Sequence, residues 1–174
     1  MIKKLLPTYI ANSSREIPPS FYKKISKKAI LFDLDNTLDP VNIATPSKEA
    51  ENLISSLKKE GFKVFIASNN TGKRVAAYCK DLQIDAASGL MKPFSRRLKK
   101  WIKKTGFKKE EIILVGDQIF TDVIAAKGAG IDVILAKPLS KVDSIFTIIN
   151  RRLEKPIRVK IEKKKLAKYW EDIL

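Results

Sequence analysis

The ten residues from Ala29 to Leu38, AILFDLDNTL, decide the fold and carry the first chemical signal. The run from Ala29 to Phe32 is apolar at every position, which is typical of a short strand buried on both faces of a parallel sheet. Asp33 follows at the carboxyl end, where ligands bind in open α/β sheets. Asp35 comes two residues later, and carboxylates so close repel each other unless a cation or a shared proton intervenes. An Asp pair after a strand also occurs in turns and helix caps, so this stretch alone leaves both interpretations open.

Composition excludes several classes of enzyme. The chain has 174 residues, 44% of them hydrophobic, which is enough for one domain with a proper core. It contains no histidine, which excludes Ser-His-Asp and Cys-His catalysis and His-ligated zinc. The single cysteine, Cys79, allows no internal disulfide, in keeping with a reducing cytoplasm. Acid–base chemistry must therefore come from carboxylates, lysines or tyrosines.

The charge balance points to an anionic partner. The chain has 35 Lys and Arg residues against 19 Asp and Glu residues, a net charge of +16. Such an excess favours nucleic acid, anionic lipid or a phosphorylated substrate as the partner. Lysine is also common on solvated surfaces without any binding function. No apolar run reaches the length of a transmembrane span. We therefore predict a cytoplasmic protein, with peripheral attachment to a membrane left open.

Further apolar runs indicate the remaining strands, at 63–67, 84–87, 112–115 and 133–136. Stretches with helical periodicity separate them, so the pattern predicts a doubly wound, parallel, five-stranded α/β sheet. We assign this domain to residues 29–150. A lead-in of residues 1–28 is predicted to pack on it, with short helical pieces around Leu5 and at 21–25. A basic extension of residues 151–174 follows.

The extension has its own pattern. Residues 151–168 carry nine basic side chains against Glu154 and Glu162. Alternation of Ile157, Val159 and Ile161 with charges predicts an edge strand. Apolar residues at helical spacing then predict an amphipathic helix, formed by Leu166, Tyr169, Trp170 and Ile173.

Polar residues recur where the predicted strands end. Because the carboxyl ends of parallel strands meet at one edge of a sheet, these residues should converge. Together they supply carboxylates, a hydroxyl and an ammonium group, which suits a divalent cation and a phosphoryl group. The set comprises Asp33, Asp35, Ser68, Lys92, Asp117 and Asp122.

The order and spacing of these residues resemble the haloacid dehalogenase (HAD) phosphatase superfamily. Its four motifs are matched by Asp33-Leu34-Asp35-Asn36-Thr37, by Ser68, by Lys92, and by Gly116-Asp117 with Asp122. The sequence is similar in particular to the YqeG-like branch, subclass IIIA. That likeness covers residues 29 to about 153. It adds Ser68-Asn69-Asn70-Thr71, Lys92-Pro93-Phe94, Gly116-Asp117-Gln118 with Thr121-Asp122, Lys137-Pro138-Leu139, and Asp143-Ser144-Ile145 with Asn150-Arg151.

The resemblance implies roles in a two-step phosphoryl transfer. Asp33 would be the nucleophile that forms an aspartyl-phosphate, and Asp35 would be the general acid and then the general base. Ser68 and Lys92 would hold the phosphoryl oxygens, with Asn69 as a substrate contact.

The resemblance also implies a magnesium site and its support. Mg²⁺ would be bound by Asp33, Asp117 and the backbone carbonyl of Asp35. Asp122 would orient Lys92 or a metal-bound water, unless it only caps the following helix. Thr37 would bond the turn that follows Asp35.

The intervals that hold cap domains in this superfamily are short here, which predicts no cap and an open site. The YqeG-like branch is similar to a mitochondrial phosphatidylglycerophosphate phosphatase, so that lipid is the first substrate hypothesis. The basic tail with Tyr169 and Trp170 would then dock at a membrane surface. Two alternatives stay open: a phosphatase for a soluble sugar or nucleotide phosphate, and a basic nucleic-acid- or ribosome-associated protein on a HAD fold.

Overall fold

The centre of the molecule is one parallel sheet of seven strands. The computed structural model describes residues 2–41, 43–70 and 73–174. The strand order across the sheet is β4-β3-β2-β5-β6-β1-β7, and every hydrogen-bonded pair is parallel. The strands are β1 (Tyr9–Ala11), β2 (Ala29–Phe32), β3 (Lys63–Ala67), β4 (Asp85–Ala87), β5 (Ile112–Gly116), β6 (Asp132–Ala136) and β7 (Lys168–Tyr169).

Helices cover both faces of this sheet. Ile30 and Phe32 of β2 belong to one core cluster, and Ala29 and Leu31 belong to another, as expected for a strand buried on both faces. The doubly wound α/β fold is therefore confirmed. The helices are α1 (Pro19–Lys24), α2 (Lys48–Lys59), α3 (Lys73–Leu82), α4 (Ser95–Thr105), α5 (Ile124–Ala129) and α6 (Ile145–Lys163), and a π-helical turn, Ile119–Val123, precedes α5.

The prediction of five strands was wrong, because β1 and β7 extend the sheet beyond β6. These strands are three and two residues long, too short to give a periodic signal of their own. Their place is fixed by pairing, with Tyr9 opposite Ile134 on one side and opposite Lys168 on the other. Residues 1–28 and 151–174 thus each add a strand to the sheet built by residues 29–136.

The predicted secondary structure of the C-terminal segment was also wrong. Residues 157–161 belong to α6 and not to an edge strand, since Ile157 and Ile161 lie four residues apart on its core-facing side. The predicted amphipathic helix is instead β7 and a 3₁₀ turn, Trp170–Ile173. Tyr169 and Trp170 are partly buried and pack against the two core clusters, and their docking at a membrane surface stays a prediction.

The parallel sheet brings several strand ends to one edge. Asp33 follows β2, Ser68 follows β3 and Asp117 follows β5, while Lys92 lies five residues after β4. In the described parts of the two intervals that could hold a cap, 33–47 and 68–92, the helical and strand elements are α3 and β4 alone. Among the described helices, none has the length and apolar composition needed to cross a bilayer.

Candidate active site

Three buried carboxylates form the centre of the site. Asp33, Asp117 and Asp122 are 7%, 0% and 1% exposed, and one carboxylate oxygen of each lies within 4.8 Å of the others. Asp33 and Asp117 meet because β2 and β5 are neighbours in register, with Phe32 opposite Val115. Like charges this close and this dry repel strongly unless cations compensate them.

Lys92 supplies one compensating charge. Its Nζ donates to Asp33 Oδ1 at 2.6 Å, to Asp122 Oδ1 at 2.6 Å and to the carbonyl of Ala67 at 2.8 Å. An ammonium group has three donors, so all three are engaged. This arrangement places the ammonium between the predicted nucleophile and Asp122, where a phosphoryl group could meet it.

Asn69 fixes the backbone that carries Lys92. Its Oδ1 accepts from the backbone N–H of Lys92 at 2.6 Å, and its Nδ2 donates to the carbonyl of Lys92 at 3.0 Å. The Lys92–Pro93 peptide bond is cis. Both polar ends of the Asn69 amide are thus used on Lys92, and its predicted contact with substrate stays a prediction.

Asp122 is held by the turn after β5. Its Oδ2 accepts from the backbone N–H of Gln118 at 3.1 Å, while its Oδ1 faces Lys92. A Cβ at Gly116 would lie 2.4 Å from Asp122 Cγ, so only glycine lets the carboxylate fold back against the strand. The contact with Lys92 is the one expected for an orienting residue.

Asp117 is held by α6, which sequence reasoning missed. Arg151 Nη2 donates to Asp117 Oδ2 at 2.5 Å, and Arg158 donates to the Asp117 carbonyl. Arg151 also bonds Asp143, at 2.5 and 2.9 Å. Thr37 Oγ1 lies 3.3 Å from Asp117 Oδ1. The sequence signals were the Asp143-Ser144-Ile145 and Asn150-Arg151 matches, because both arginines otherwise lie in a long basic stretch.

A cavity of about 430 Å³ opens over the cluster. Strand-end residues line one side of it, namely Asp33, Asp35, Ser68 and Lys92. The start of α6 lines another side, with Phe146, Thr147 and Asn150. The predicted open site therefore has a wall made by the start of α6.

Asp35, the predicted general acid, and Ser68, the predicted phosphate contact, both line this cavity. Asp35 Oδ2 accepts from Asn70 Nδ2 at 2.7 Å, and Ser68 Oγ accepts from the backbone N–H of Asn70 at 3.0 Å. The Ser68 hydroxyl keeps its own proton to donate. Asn70 thus links the two side chains, and the neighbouring Thr71 of the motif lies outside the described residues.

The pKa values of two carboxyl groups in the cluster are raised. Burial raises the pKa of Asp33 well above its usual value against the opposing effect of Lys92, and Asp122 and Asp117 add to the rise. Burial, with Asp122, also raises the pKa of Asp117 to about 6, against the lowering effect of Arg151. A divalent cation would reverse both shifts, and buried carboxylate oxygens are the ligands that Mg²⁺ prefers. The donor set therefore fits the predicted ion.

Comparison with known proteins identifies the family. Residues 39–136 match the model of the haloacid dehalogenase-like hydrolase family. The chain belongs to that family. It is also 30% identical over 173 residues to "Probable phosphatase YqeG" of Bacillus subtilis, covering 99% of this chain and 100% of that one. The predicted membership of the HAD superfamily and its YqeG-like branch is thus confirmed.

Two more distant likenesses complete the comparison. The chain is 27% identical over 161 residues to phosphatidylglycerophosphate phosphatase 1, chloroplastic/mitochondrial, of Arabidopsis thaliana, covering 86% of this chain but 46% of that protein. A cobalt-bound deoxy-D-mannose-octulosonate 8-phosphate phosphatase from Haemophilus influenzae shares the fold. Its TM-score is 0.52 with 18% identity, over 66% of this chain and 70% of that one. The family match includes Ser68, Lys92 and Asp117 but begins after Asp33 and Asp35.

Proposed function

We propose that this HAD-family hydrolase is a Mg²⁺-dependent phosphomonoesterase that works through an aspartyl-phosphate on Asp33. The observation that carries the proposal is the ammonium of Lys92, held 2.6 Å from both Asp33 and Asp122 at the floor of a 430 Å³ cavity. A carboxylate nucleophile beside a fixed cation is what phosphoryl transfer requires, because catalysis there rests on positioning and charge stabilisation.

The two chemical steps divide between two carboxyl groups. In the first, an Asp33 oxygen bonds to phosphorus and the ester oxygen leaves with a proton from Asp35. In the second, Asp35 takes a proton from water, whose oxygen bonds to phosphorus and releases Asp33 and inorganic phosphate. Asp35 suits this double role because it lies half-buried in the cavity wall, where both the leaving group and water have access.

Lys92 must change partners during the reaction. All three of its donors are engaged, so a phosphoryl oxygen can bind only by replacing one acceptor. Asp33 is the acceptor that gives way, since its carboxylate loses its charge when it becomes an acyl phosphate. The Ala67 carbonyl and Asp122 would keep the ammonium in place meanwhile.

The magnesium site would be formed by Asp33, Asp117 and the backbone carbonyl of Asp35. When bound, the ion would offset the negative charge of the phosphoryl group. Arg151 and Thr37 would hold the Asp117 carboxylate in its orientation, as outer partners of metal ligands commonly do.

A phospholipid phosphomonoester, phosphatidylglycerophosphate, is the proposed substrate. Two facts support it: the likeness to the Arabidopsis phosphatidylglycerophosphate phosphatase and the net charge of +16, which favours an anionic surface. In their described parts, the two intervals that could hold a cap contain only α3 and β4, and such an open site suits a large ester that is presented from outside.

Phosphate release from a substrate panel tests this function. The wild type should release phosphate from vesicles that contain phosphatidylglycerophosphate faster than from sugar or nucleotide phosphates, and only with Mg²⁺. Equally weak rates on all esters would contradict the proposal that phosphatidylglycerophosphate is the substrate. Salt-sensitive RNA binding without any hydrolysis would instead favour the nucleic-acid alternative.

Two variants test the mechanism. Asp33→Asn should lower turnover by at least about 10³-fold at every pH, because the nucleophile is absent. Asp35→Asn should still trap labelled phosphate on Asp33 from an activated ester, yet turn over slowly. Asp81→Asn, on the exposed part of α3, is the matched control. Substantial hydrolysis by Asp33→Asn would mean that another group attacks phosphorus.

A further inference from the structure

The first half of α6 exposes large apolar side chains. Ile145, Ile149 and Leu153 are 76%, 50% and 59% exposed, and Phe146 is 82% exposed. The first three are spaced by four residues, so they form a stripe on one side of the helix. Single exposed apolar residues are ordinary on protein surfaces, but a stripe of this kind marks a contact surface. We call these four residues the apolar face.

The apolar face begins at the mouth of the active-site cavity. Phe146 belongs to the apolar face and also lines the cavity that holds Asp33 and Lys92. On the chain beside Lys92, Met91 and Phe94 are exposed by 52% and 70%. Apolar side chains therefore stand where a substrate must enter, which links whatever they contact to the supply of substrate.

Basic residues accompany the apolar ones. Of the six basic residues of α6, Arg151 and Arg158 are bound to Asp117, and the other four are exposed, namely Arg152, Lys155, Lys160 and Lys163. α4, which starts directly after Phe94, has no acidic residue and six basic ones, Arg96, Arg97, Lys99, Lys100, Lys103 and Lys104. Apolar side chains followed by lysines and arginines are the composition of helices that lie in the interface of an anionic membrane.

We propose that the apolar face, with Phe94, inserts into the surface of an anionic phospholipid bilayer and sets the cavity mouth against the lipid headgroups. The choice of a lipid surface rests on the proposed function, whose substrate lies in such a bilayer. The apolar side chains would enter the acyl boundary, and the basic residues would meet the phosphates.

Charge decides against a second copy of the chain as the occupant. Two copies would bring net charges of +16 together, with the basic residues of α6 facing those of its mate. A nucleic acid would satisfy the lysines but would give Ile145, Ile149 and Leu153 no apolar partner. An anionic bilayer satisfies both parts of the surface.

Vesicle flotation of the full chain tests the proposal. The wild type should float with vesicles of phosphatidylcholine and phosphatidylglycerol and much less with phosphatidylcholine alone. The triple variant Ile145→Ser, Ile149→Ser, Leu153→Ser should weaken binding to the mixed vesicles by at least about tenfold, since it removes apolar area that would be buried. None of these three residues lines the cavity, so its rate on a soluble aryl phosphate should match the wild type.

Two further variants keep the test decisive. Phe94→Ser should also weaken vesicle binding, and it should not unfold the protein because serine is a good residue at the start of α4. The double variant Leu166→Ser, Leu174→Ser removes exposed apolar side chains elsewhere and should bind like the wild type. Circular dichroism checks that each variant is folded.

Each outcome decides the matter. The proposal would be overturned if the wild type did not float with anionic vesicles, or if the folded triple variant floated as well as the wild type. It would also be overturned by a wild-type dimer in size-exclusion chromatography that the triple variant converts to monomer, because a second copy would then be the occupant. Vesicle binding by a wild type that hydrolyses no phosphoester would support the surface while overturning the proposed function.

Discussion

The two faces of α6 differ from the usual pattern, in which apolar side chains are buried and charged side chains are exposed. Its inner face buries charge: Glu154 is fully buried and accepts from the backbone N–H of Phe120 at 2.7 Å, and Arg151 bonds Asp117. Its outer face exposes Ile145 and Ile149 to solvent. Buried charge with fixed partners is typical of a functional site, and exposed apolar surface is typical of an interface. With the roles proposed above, one helix would have two tasks, and variants on its two faces separate them.

The largest effect on stability is expected from the inner face. Ile161 is 2% exposed and belongs to the core cluster that contains Ala29 and Leu31 of β2. Ile161→Ala should lower the free energy of unfolding by about 3 kcal/mol, because the substitution leaves a cavity. Val159→Ala on the outer side, where the valine is 40% exposed, should change it by no more than about 0.5 kcal/mol. Urea unfolding measures both, and equal losses would mean that the two faces are not distinct.

The contrast between the faces also explains what the sequence could predict. β2 and β5 are apolar throughout, and β3 and β6 are apolar after their first residues, Lys63 and Asp132. The positions of these strands and the polar residues at their ends could therefore be predicted. The secondary structure of residues 157–161 could not be predicted, because Ile157, Val159 and Ile161 fit an alternating strand as well as a helix. Only packing decides between the two, since Ile157 and Ile161 contact the core together.

The residues at the strand ends could be predicted to lie together, but the support that α6 gives to Asp117 could not. Asp33, Ser68, Lys92 and Asp117 follow strands, and a parallel sheet must gather them. Arg151 reaches Asp117 from a helix 34 residues further along the chain. Among the nine basic residues at 151–168, no local pattern distinguishes a partly buried arginine from a solvated one.

Magnesium should stabilise the protein in a pH-dependent way. In the metal-free protein the pKa of Asp117 is raised from 3.8 to about 6, so the folded state keeps a proton that the unfolded chain releases. Stability without metal should therefore fall as pH rises through that window. Mg²⁺ binds the deprotonated carboxylates, so its stabilising effect should grow over the same window.

The expected size of the magnesium effect can be measured by thermal unfolding. At neutral pH and a hundredfold excess of Mg²⁺ over its Kd, stabilisation should be about 2.7 kcal/mol. That corresponds to a rise in Tm of about 5–10 °C for a chain of this length, and the rise should be smaller at pH 5. Asp117→Asn should lose most of it, while the exposed Asp81→Asn should keep it. A Tm that does not change on addition of Mg²⁺ at any pH would contradict a magnesium site.

Neighbouring arginines on α6 give a smaller but more specific test. Arg151→Ala removes a donor at 2.5 Å from Asp117, so the concentration of Mg²⁺ needed for half-maximal activity should rise about tenfold. Arg152→Ala removes an equal charge from an exposed position and should leave it unchanged. A magnesium titration of phosphate release compares the two. Equal shifts would mean that net charge, and not the bond to Asp117, controls the metal.

The smallest effect is expected at the centre of the apolar face. Ile149→Ala should leave the free energy of unfolding unchanged or raise it by about 0.4 kcal/mol, because alanine is the better helix former and the isoleucine is half exposed. Ile149→Gly should then be less stable than Ile149→Ala by about 1 kcal/mol, which confirms that the position is helical in solution. Unfolding curves at two protein concentrations complete the test. If Ile149→Ala were destabilising, and more so for concentrated protein, the side chain would already be buried against another copy, and the outer face would have no apolar surface left for a membrane.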